Sequence, residues 1–222
     1  MTTNPPAATP ATAAGRAAAR RSFEALALGD AFGERWFPLS RAPRQAVNEI
    51  RARRTPPEPR WHWTDDTALA LALTRSLDER GHVDQDHLAL CYALAFDADQ
   101  ARGELTLDAV AERTPEGLVR DGVRRAARTP FSTEPWRAAD LLGNGQRIRA
   151  DDTVPFALWS AARHGDDLEA ALWATAAGLG DVDTTCAITG GVVGAATGTA
   201  GAPEAWLRRR EPLTENPFAD VS

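Results

Sequence analysis

Two short stretches of this chain bring carboxylates and hydroxyls together. One is Thr64-Asp65-Asp66-Thr67, preceded by Trp61-His62-Trp63 and followed by the apolar run from Ala68 to Leu73. The other is Gly180-Asp181-Val182-Asp183-Thr184-Thr185, which opens a run of small residues. Each sits where a helix is expected to begin. A lone Asp or Thr at such a place is an N-cap, its side-chain oxygen accepting from the unpaired N–H groups of the first turn. Capping accounts for one polar residue at each start. It leaves unexplained a pair of carboxylates and a hydroxyl at both. Hard oxygen donors of this kind suit Mg²⁺, Mn²⁺ or Ca²⁺ rather than zinc. If the two stretches face each other, four carboxylates in one pocket repel strongly unless cations sit between them. His62, flanked by two tryptophans, is expected to pack or to bond water rather than to act as a ligand.

The elements that must position these groups read as helices. Phe23, Leu26 and Ala27 recur at helical spacing, which predicts a first helix over about Ala17–Asp30. It runs into Gly29-Asp30-Ala31-Phe32-Gly33-Glu34, where local pattern favours a helix C-cap with Gly33 at positive φ over close packing. Pro38 to Arg60 reads as a long surface loop. A helix then follows Thr64 to about Gly81, and another is capped by Asp84 or Asp86 and runs through Leu88, Leu90, Tyr92, Leu94 and Phe96. Thr114-Pro115-Glu116 reads as a further start, with Arg120, Arg124, Arg125 and Arg128 on its solvated face. Asp151-Asp152-Thr153 with Pro155 reads as the capped start of a helix ending near Gly165. Asp166-Asp167 caps the helix from Leu168 to Leu179. In the last long helix, through Ile188, Val192 and Val193, the three interior glycines Gly190, Gly191 and Gly194 each cost roughly 1 kcal/mol against alanine. They predict backbone packed closely on a neighbour. Ala205-Trp206-Leu207 forms a final short turn. No run alternates like a strand, so the fold class is all-α, a compact orthogonal helical domain.

Composition narrows the chemistry. The 222 residues are 43% apolar with a formal net charge of −6, which suits one domain with a sizeable core. The acidic balance argues against a nucleic-acid surface. No run is long enough to span a bilayer and no charged segment leads into an apolar one at the start, so a cytoplasmic monomer is expected. Cys91 and Cys186 lie in apolar, helix-like contexts and read as buried thiols rather than a disulfide. All 25 basic residues are arginine. Without lysine there is no P-loop phosphate lysine, no Schiff base and no pyridoxal-phosphate anchor. Residues 1–14 hold no charged side chain and read as a disordered tail, 15–210 as the folded domain, and 211–222 as a second tail.

Read together, Thr64-Asp65-Asp66-Thr67, the turn Gly143-Asn144-Gly145 and Gly180-Asp181-Val182-Asp183-Thr184 resemble the signature segments of the ADP-ribosylglycohydrolase family, also called the dinitrogenase-reductase-activating glycohydrolase family. Ala27-Leu28-Gly29-Asp30-Ala31-Phe32-Gly33 resembles that family's opening Gly-Asp-x-x-Gly segment. The resemblance implies an all-helical fold around a central dinuclear site holding two divalent cations, Mg²⁺ or Mn²⁺. It implies Thr64, Asp65, Asp66, Asp181, Asp183 and Thr184 as metal ligands, with Asp65, Asp66 and Asp183 as the catalytic carboxylates. Gly143, Asn144 and Gly145 become candidate contacts to ADP-ribose, and backbone N–H groups in such a turn suit diphosphate oxygens. The expected activity is hydrolysis of an ADP-ribosyl glycosidic bond on a protein or small molecule, releasing ADP-ribose. The alternatives are an ADP-ribose-binding or structural member of the family, and a two-metal phosphoester hydrolase. Two features depart from the family pattern. Where some relatives carry a glutamate seven residues after the opening aspartate, this chain has Phe37, with Glu34 the nearest acid and a surface salt bridge its alternative role. Val182 stands where the commoner motif has threonine.

Overall fold

In the computed structural model, which describes residues 13–36, 43–80 and 106–213, the periodic segments fold as α1 (Ala13–Gly33), a 3-10 turn (Glu34–Trp36), α2 (Pro43–Arg51), α3 (Asp65–Arg80), α4 (Leu107–Arg113), α5 (Leu118–Arg128), α6 (Pro135–Leu142), α7 (Ala150–His164), α8 (Leu168–Ala176), α9 (Val182–Thr197) and α10 (Glu204–Arg209). Among the described residues there is no sheet, only a bridge between Trp61 and Arg210. The expected all-α class holds.

Small residues set the central contact, between α1 and α9. A Cβ on Gly29 would collide with the Cys186 carbonyl, and one on Gly190 with the Ala25 carbonyl. Gly33, expected as a C-cap at positive φ, is instead helical and lies against the backbone of Val182 and Asp183. Its missing side chain brings the end of α1 onto the start of α9. The same close approach explains why α9 tolerates interior glycines: the helix-propensity penalty is offset by backbone contact that any larger residue would prevent. Ser22 and Arg21 on α1 tie the pair further, donating to the carbonyls of Gly191 and Ala195.

Two apolar clusters flank this pair. One holds Phe32, Trp36, Trp61, Trp173 and Trp206, with Phe32 stacked on Trp206 at 4.6 Å and edge-on to Trp173 at 5.0 Å. Such ring pairs add about 0.5–1.5 kcal/mol each beyond their buried area. The backbone of Trp61 is fixed as well, its N–H donating to the Arg209 carbonyl and its C=O accepting from Glu211. The segment leading into Thr64 is therefore anchored three residues before the site. The second cluster joins α4–α7 through Val110, Val123, Leu142, Phe156 and Trp159.

Several boundaries differ from the sequence expectation. The segment read as a loop from Pro38 contains α2, whose Ala46 and Ile50 are buried one helical turn apart. α4 was not expected. Thr114 is its C-cap rather than the next start, and α5 begins after Gly117. Arg120 is not on a solvated face: its guanidinium donates to the carbonyls of Ala111 and Glu112 and closes the end of α4. Arg124 is exposed, as expected. α7 starts at Ala150, which puts Pro155 inside it, its ring seated where Gly122 has no side chain. Asp167 caps α8 as expected, accepting from Ala170 N at 2.9 Å. α1 begins at Ala13, inside the stretch read as a tail. The expected helix from Asp84 or Asp86 to Phe96, together with Phe37, Cys91 and most of both tails, lies outside the described residues. No helix among the described residues is long and apolar enough to cross a membrane.

Candidate metal centre and the Asn144 turn

Thr64, Asp65 and Asp66 stand at the start of α3, and Asp181, Asp183 and Thr184 at the start of α9. The fold joins the two starts directly: the Thr184 hydroxyl donates to Asp66 Oδ2 at 3.1 Å. The capping account fails at both. Asp181 precedes α9 but makes no side-chain capping bond. The Thr67 N–H in the first turn of α3 is bonded by Asp30 of α1, at 3.1 Å. The acids here bond across the two starts instead, Asp66 to Thr184 and Asp183 to Asp181.

Their electrostatics show how close they are. Burial, then the charges of Asp30 and Asp183, push Asp66 up to about 7. Burial, then a hydrogen bond and charge repulsion with Asp181, push Asp183 up to about 7 as well. Glu34, on the turn after α1, is half-buried. Burial and then the charge of Asp183 raise its carboxyl, with Asp30 and Asp65 adding to the rise against Arg35. Like charges disfavour ionisation at this range, so these groups form one electrostatic unit. Asp183 Oδ1 is buried and has no hydrogen-bond partner among the described residues. An orphaned buried carboxylate oxygen is costly unless a donor or a cation satisfies it. Among the described residues, no three acidic, His or Cys side chains are gathered closely enough to hold a metal ion as they stand. The all-oxygen donor set and the partnerless Asp183 oxygen nonetheless fit a hard divalent cation. His62 is exposed, and its Nδ1 meets Glu211 Oε2 at 2.9 Å.

Gly143-Asn144-Gly145 packs on the turn that ends in Asp181. Asp181 N–H donates to the Asn144 carbonyl at 2.9 Å, and the Asn144 side-chain amide donates to the Gly178 carbonyl at 3.2 Å. A Cβ on Gly145, which has φ +86°, would lie 2.5 Å from the Asp181 Cβ. The turn thereby supports the loop that carries Asp181. Asp152, expected as a helix cap, is buried and braces the turn instead: Oδ2 accepts from Arg147 N at 2.9 Å and its carbonyl accepts from Gly145 N. Asp151 pairs with Arg149 at 2.9 Å.

The same loop carries a strained residue. Ile148 has φ +53° and is 89% exposed. A β-branched side chain in the left-handed region costs on the order of 1–3 kcal/mol, and here no burial offsets it. Ile148→Gly should therefore raise stability by about 0.5–1 kcal/mol, after subtracting the entropy glycine adds to the unfolded chain. Denaturant melts of the two proteins test this, and a lower midpoint for the variant would show that the side chain holds the loop.

Asp30 and Glu34 are the members of the acid cluster that spacing alone did not place. Gly29 and Gly33 were the available signal, because two glycines bracketing an acid on a helix mark a close backbone approach.

Comparison with protein families matches ADP-ribosylglycohydrolase over residues 11–118 and again over 88–220, stretches that include the segment 64–67 with Asp65 and Asp66, and the Asn144 turn with Asp181 and Asp183. No curated protein and no solved structure matches the chain. With both stretches together covering nearly its whole length, the chain belongs to the ADP-ribosylglycohydrolase family.

Proposed function

We propose that this protein hydrolyses the bond between an ADP-ribosyl group and its acceptor, using two Mg²⁺ or Mn²⁺ ions held by Thr64, Asp65, Asp66, Asp181, Asp183 and Thr184. Family membership supports hydrolysis of ADP-ribosyl linkages as the class of reaction. The observation that carries the finer reading is the Thr184–Asp66 hydrogen bond beside the partnerless Asp183 oxygen, which joins the two acid-bearing helix starts into one centre.

When bound, such cations polarise ribose hydroxyls and lower the pKa of water. The chain's own residues do the rest. Asp66 and Asp183, both near 7 when the charges around them are uncompensated, ionise fully once a positive charge arrives. Glu34 borders the same centre with a raised carboxyl, a direction that makes its carboxylate a better acceptor for the proton of an attacking water. Gly143 and Gly145 let the Asn144 turn close on Asp152 and Asp181, and with their own N–H groups bonded to the Ala139 and Asp152 carbonyls the turn steadies the loop that carries Asp181.

The test is incubation with ADP-ribosyl-arginine, ADP-ribosyl-serine, nucleobase-linked and small-molecule substrates, with Mg²⁺ or Mn²⁺ and with EDTA. Free ADP-ribose that requires the cation supports the proposal. Phosphate released from phosphoesters without ADP-ribose favours a two-metal phosphoesterase, and ADP-ribose binding without turnover favours a binding protein. Glu34→Gln separates the base from the ligands: kcat should fall roughly 10²-fold with cation affinity nearly unchanged. Full activity in that variant would return Glu34 to the role of a surface acid.

A further inference from the structure

Asp30 is fully buried in α1 and receives four hydrogen bonds from one turn of chain. Its Oδ2 accepts from Thr64 N at 2.8 Å, Thr67 N at 3.1 Å and the Thr67 hydroxyl at 2.5 Å. Its Oδ1 accepts from the Thr64 hydroxyl at 2.8 Å. Three donors saturate Oδ2, so Asp30 is poorly placed to serve as a cation ligand itself. The bond at Oδ1 has a different consequence. A threonine hydroxyl has one proton and two lone pairs, and an ionised carboxylate only accepts. The Thr64 proton is therefore committed to Asp30, and the lone pairs of that oxygen are left on its other side. Thr184 is arranged the same way, its proton directed at Asp66 Oδ2.

We propose that Asp30 is a positioning residue that fixes the polarity of the Thr64 hydroxyl, so that this oxygen meets a cation with a lone pair and never with its proton. The inference rests on the metal reading above. It also explains why Asp30 lies between Gly29 and Gly33: the two close approaches hold α1 still relative to α9 while its carboxylate holds α3.

Asp30→Asn is a near-isosteric test. The amide oxygen can take the place of Oδ2, where two N–H groups and the Thr67 hydroxyl donate. The NH₂ then replaces Oδ1 and donates to the Thr64 oxygen, which forces the Thr64 proton towards the centre. Calorimetric titration of the full chain with Mn²⁺ alone gives the readout, alongside melts in EDTA that report folding. Asp30→Asn should bind Mn²⁺ about tenfold or more weakly, as removal of a partner behind a ligand usually does. Thr64→Val should bind as weakly as Asp30→Asn, and the double variant should lose nothing further, because both changes act through one oxygen. Affinity within about twofold of wild type for Asp30→Asn, or losses that multiply in the double variant, would overturn the proposal. If Asp30→Asn does not fold, Thr64→Ser against Thr64→Val decides: serine binding like wild type and valine weakly supports the role of the hydroxyl, and valine binding like wild type overturns it. A wild-type chain that binds no Mn²⁺ refutes the metal reading itself and this inference with it. Binding by wild type that Asp30→Asn leaves unchanged refutes this inference alone.

Discussion

Asp66→Asn is expected to lower ADP-ribose release by roughly 10²–10³-fold and, in EDTA at pH 8, to melt above wild type. Both effects follow from one change. Asparagine keeps the volume of the side chain and an oxygen that accepts from the Thr184 hydroxyl, but it removes a charge. In the proposed metal centre that charge would hold and place the cations, so its loss would fall on turnover. Without cations the charge is a burden, because Asp66 is held at about 7 by burial and by the charges of Asp30 and Asp183. A shift of that size from 3.8 is about 4 kcal/mol in a dry site, and the solvent that reaches this half-buried group reduces it to about 1–2 kcal/mol. For a chain of this length that is a rise of about 2–8 °C in melting temperature. An active variant, or one whose metal-free form melts well below wild type, would mean that Asp66 is there to hold the start of α3.

The start of α3 also shows what the residues alone revealed. Two acids and two threonines in a row exceeded what capping needs, and the structure supplies the reason: the first-turn amide of Thr67 is bonded from another helix, by Asp30. Local pattern could not show this, because the partner lies 37 residues away and only the packing of α1 against α3 brings it there. The interior glycines of α9 were legible as a sign of close packing. Which helix they meet was not, since the glycine pattern names no partner. Gly33 was misread for the same cause: a glycine near a helix end satisfies the local rule for a C-cap, and the collision a side chain would make with Val182 and Asp183 is a tertiary fact.

The misplaced elements share another cause. α2 hides in a Pro- and Arg-rich segment because only Ala46 and Ile50 are buried on it, too few to make a periodic signal. Arg120 belonged to a charge run whose other members are solvated, and only the unexpected helix α4 gives its guanidinium two carbonyls to close. Asp152 looked like a cap because it stands at a helix start, yet its carboxylate turns back to Arg147 N and braces the Asn144 turn. In each case the residue type was read correctly as polar and local, and the bonding partner was supplied by an element that the sequence did not announce.

The metal-free protein should grow less stable as pH rises from about 5.5 to 8, by about 2–4 kcal/mol or 4–16 °C, and divalent cations should reverse that trend. The sign follows from proton counts. Asp66 and Asp183 sit at about 7 in the folded chain against 3.8 for the ordinary carboxyl, and Glu34 and Asp30 are raised too. Between those limits the folded state binds more protons than the unfolded one, so stability falls as pH rises and the full penalty is present above about 7. His164 works the other way. Burial, then Arg163, lowers its pKa, so its contribution is kept at high pH and lost as pH falls. The acids outweigh it because there are several of them, they are more deeply placed, and each raises the next. A cation held as proposed would bind the ionised carboxylates and only in the folded chain, so its stabilisation should grow with pH and with concentration. Melting curves from pH 5.5 to 8, in EDTA and in millimolar Mn²⁺, check this. The EDTA slope should flatten in Asp66→Asn and again in Asp183→Asn, and His164→Gln should steepen it. A melting temperature in EDTA that climbs with pH, or a Mn²⁺ gain as large in Asp183→Asn as in wild type, would show that these carboxylates do not face one another in a shared cation site.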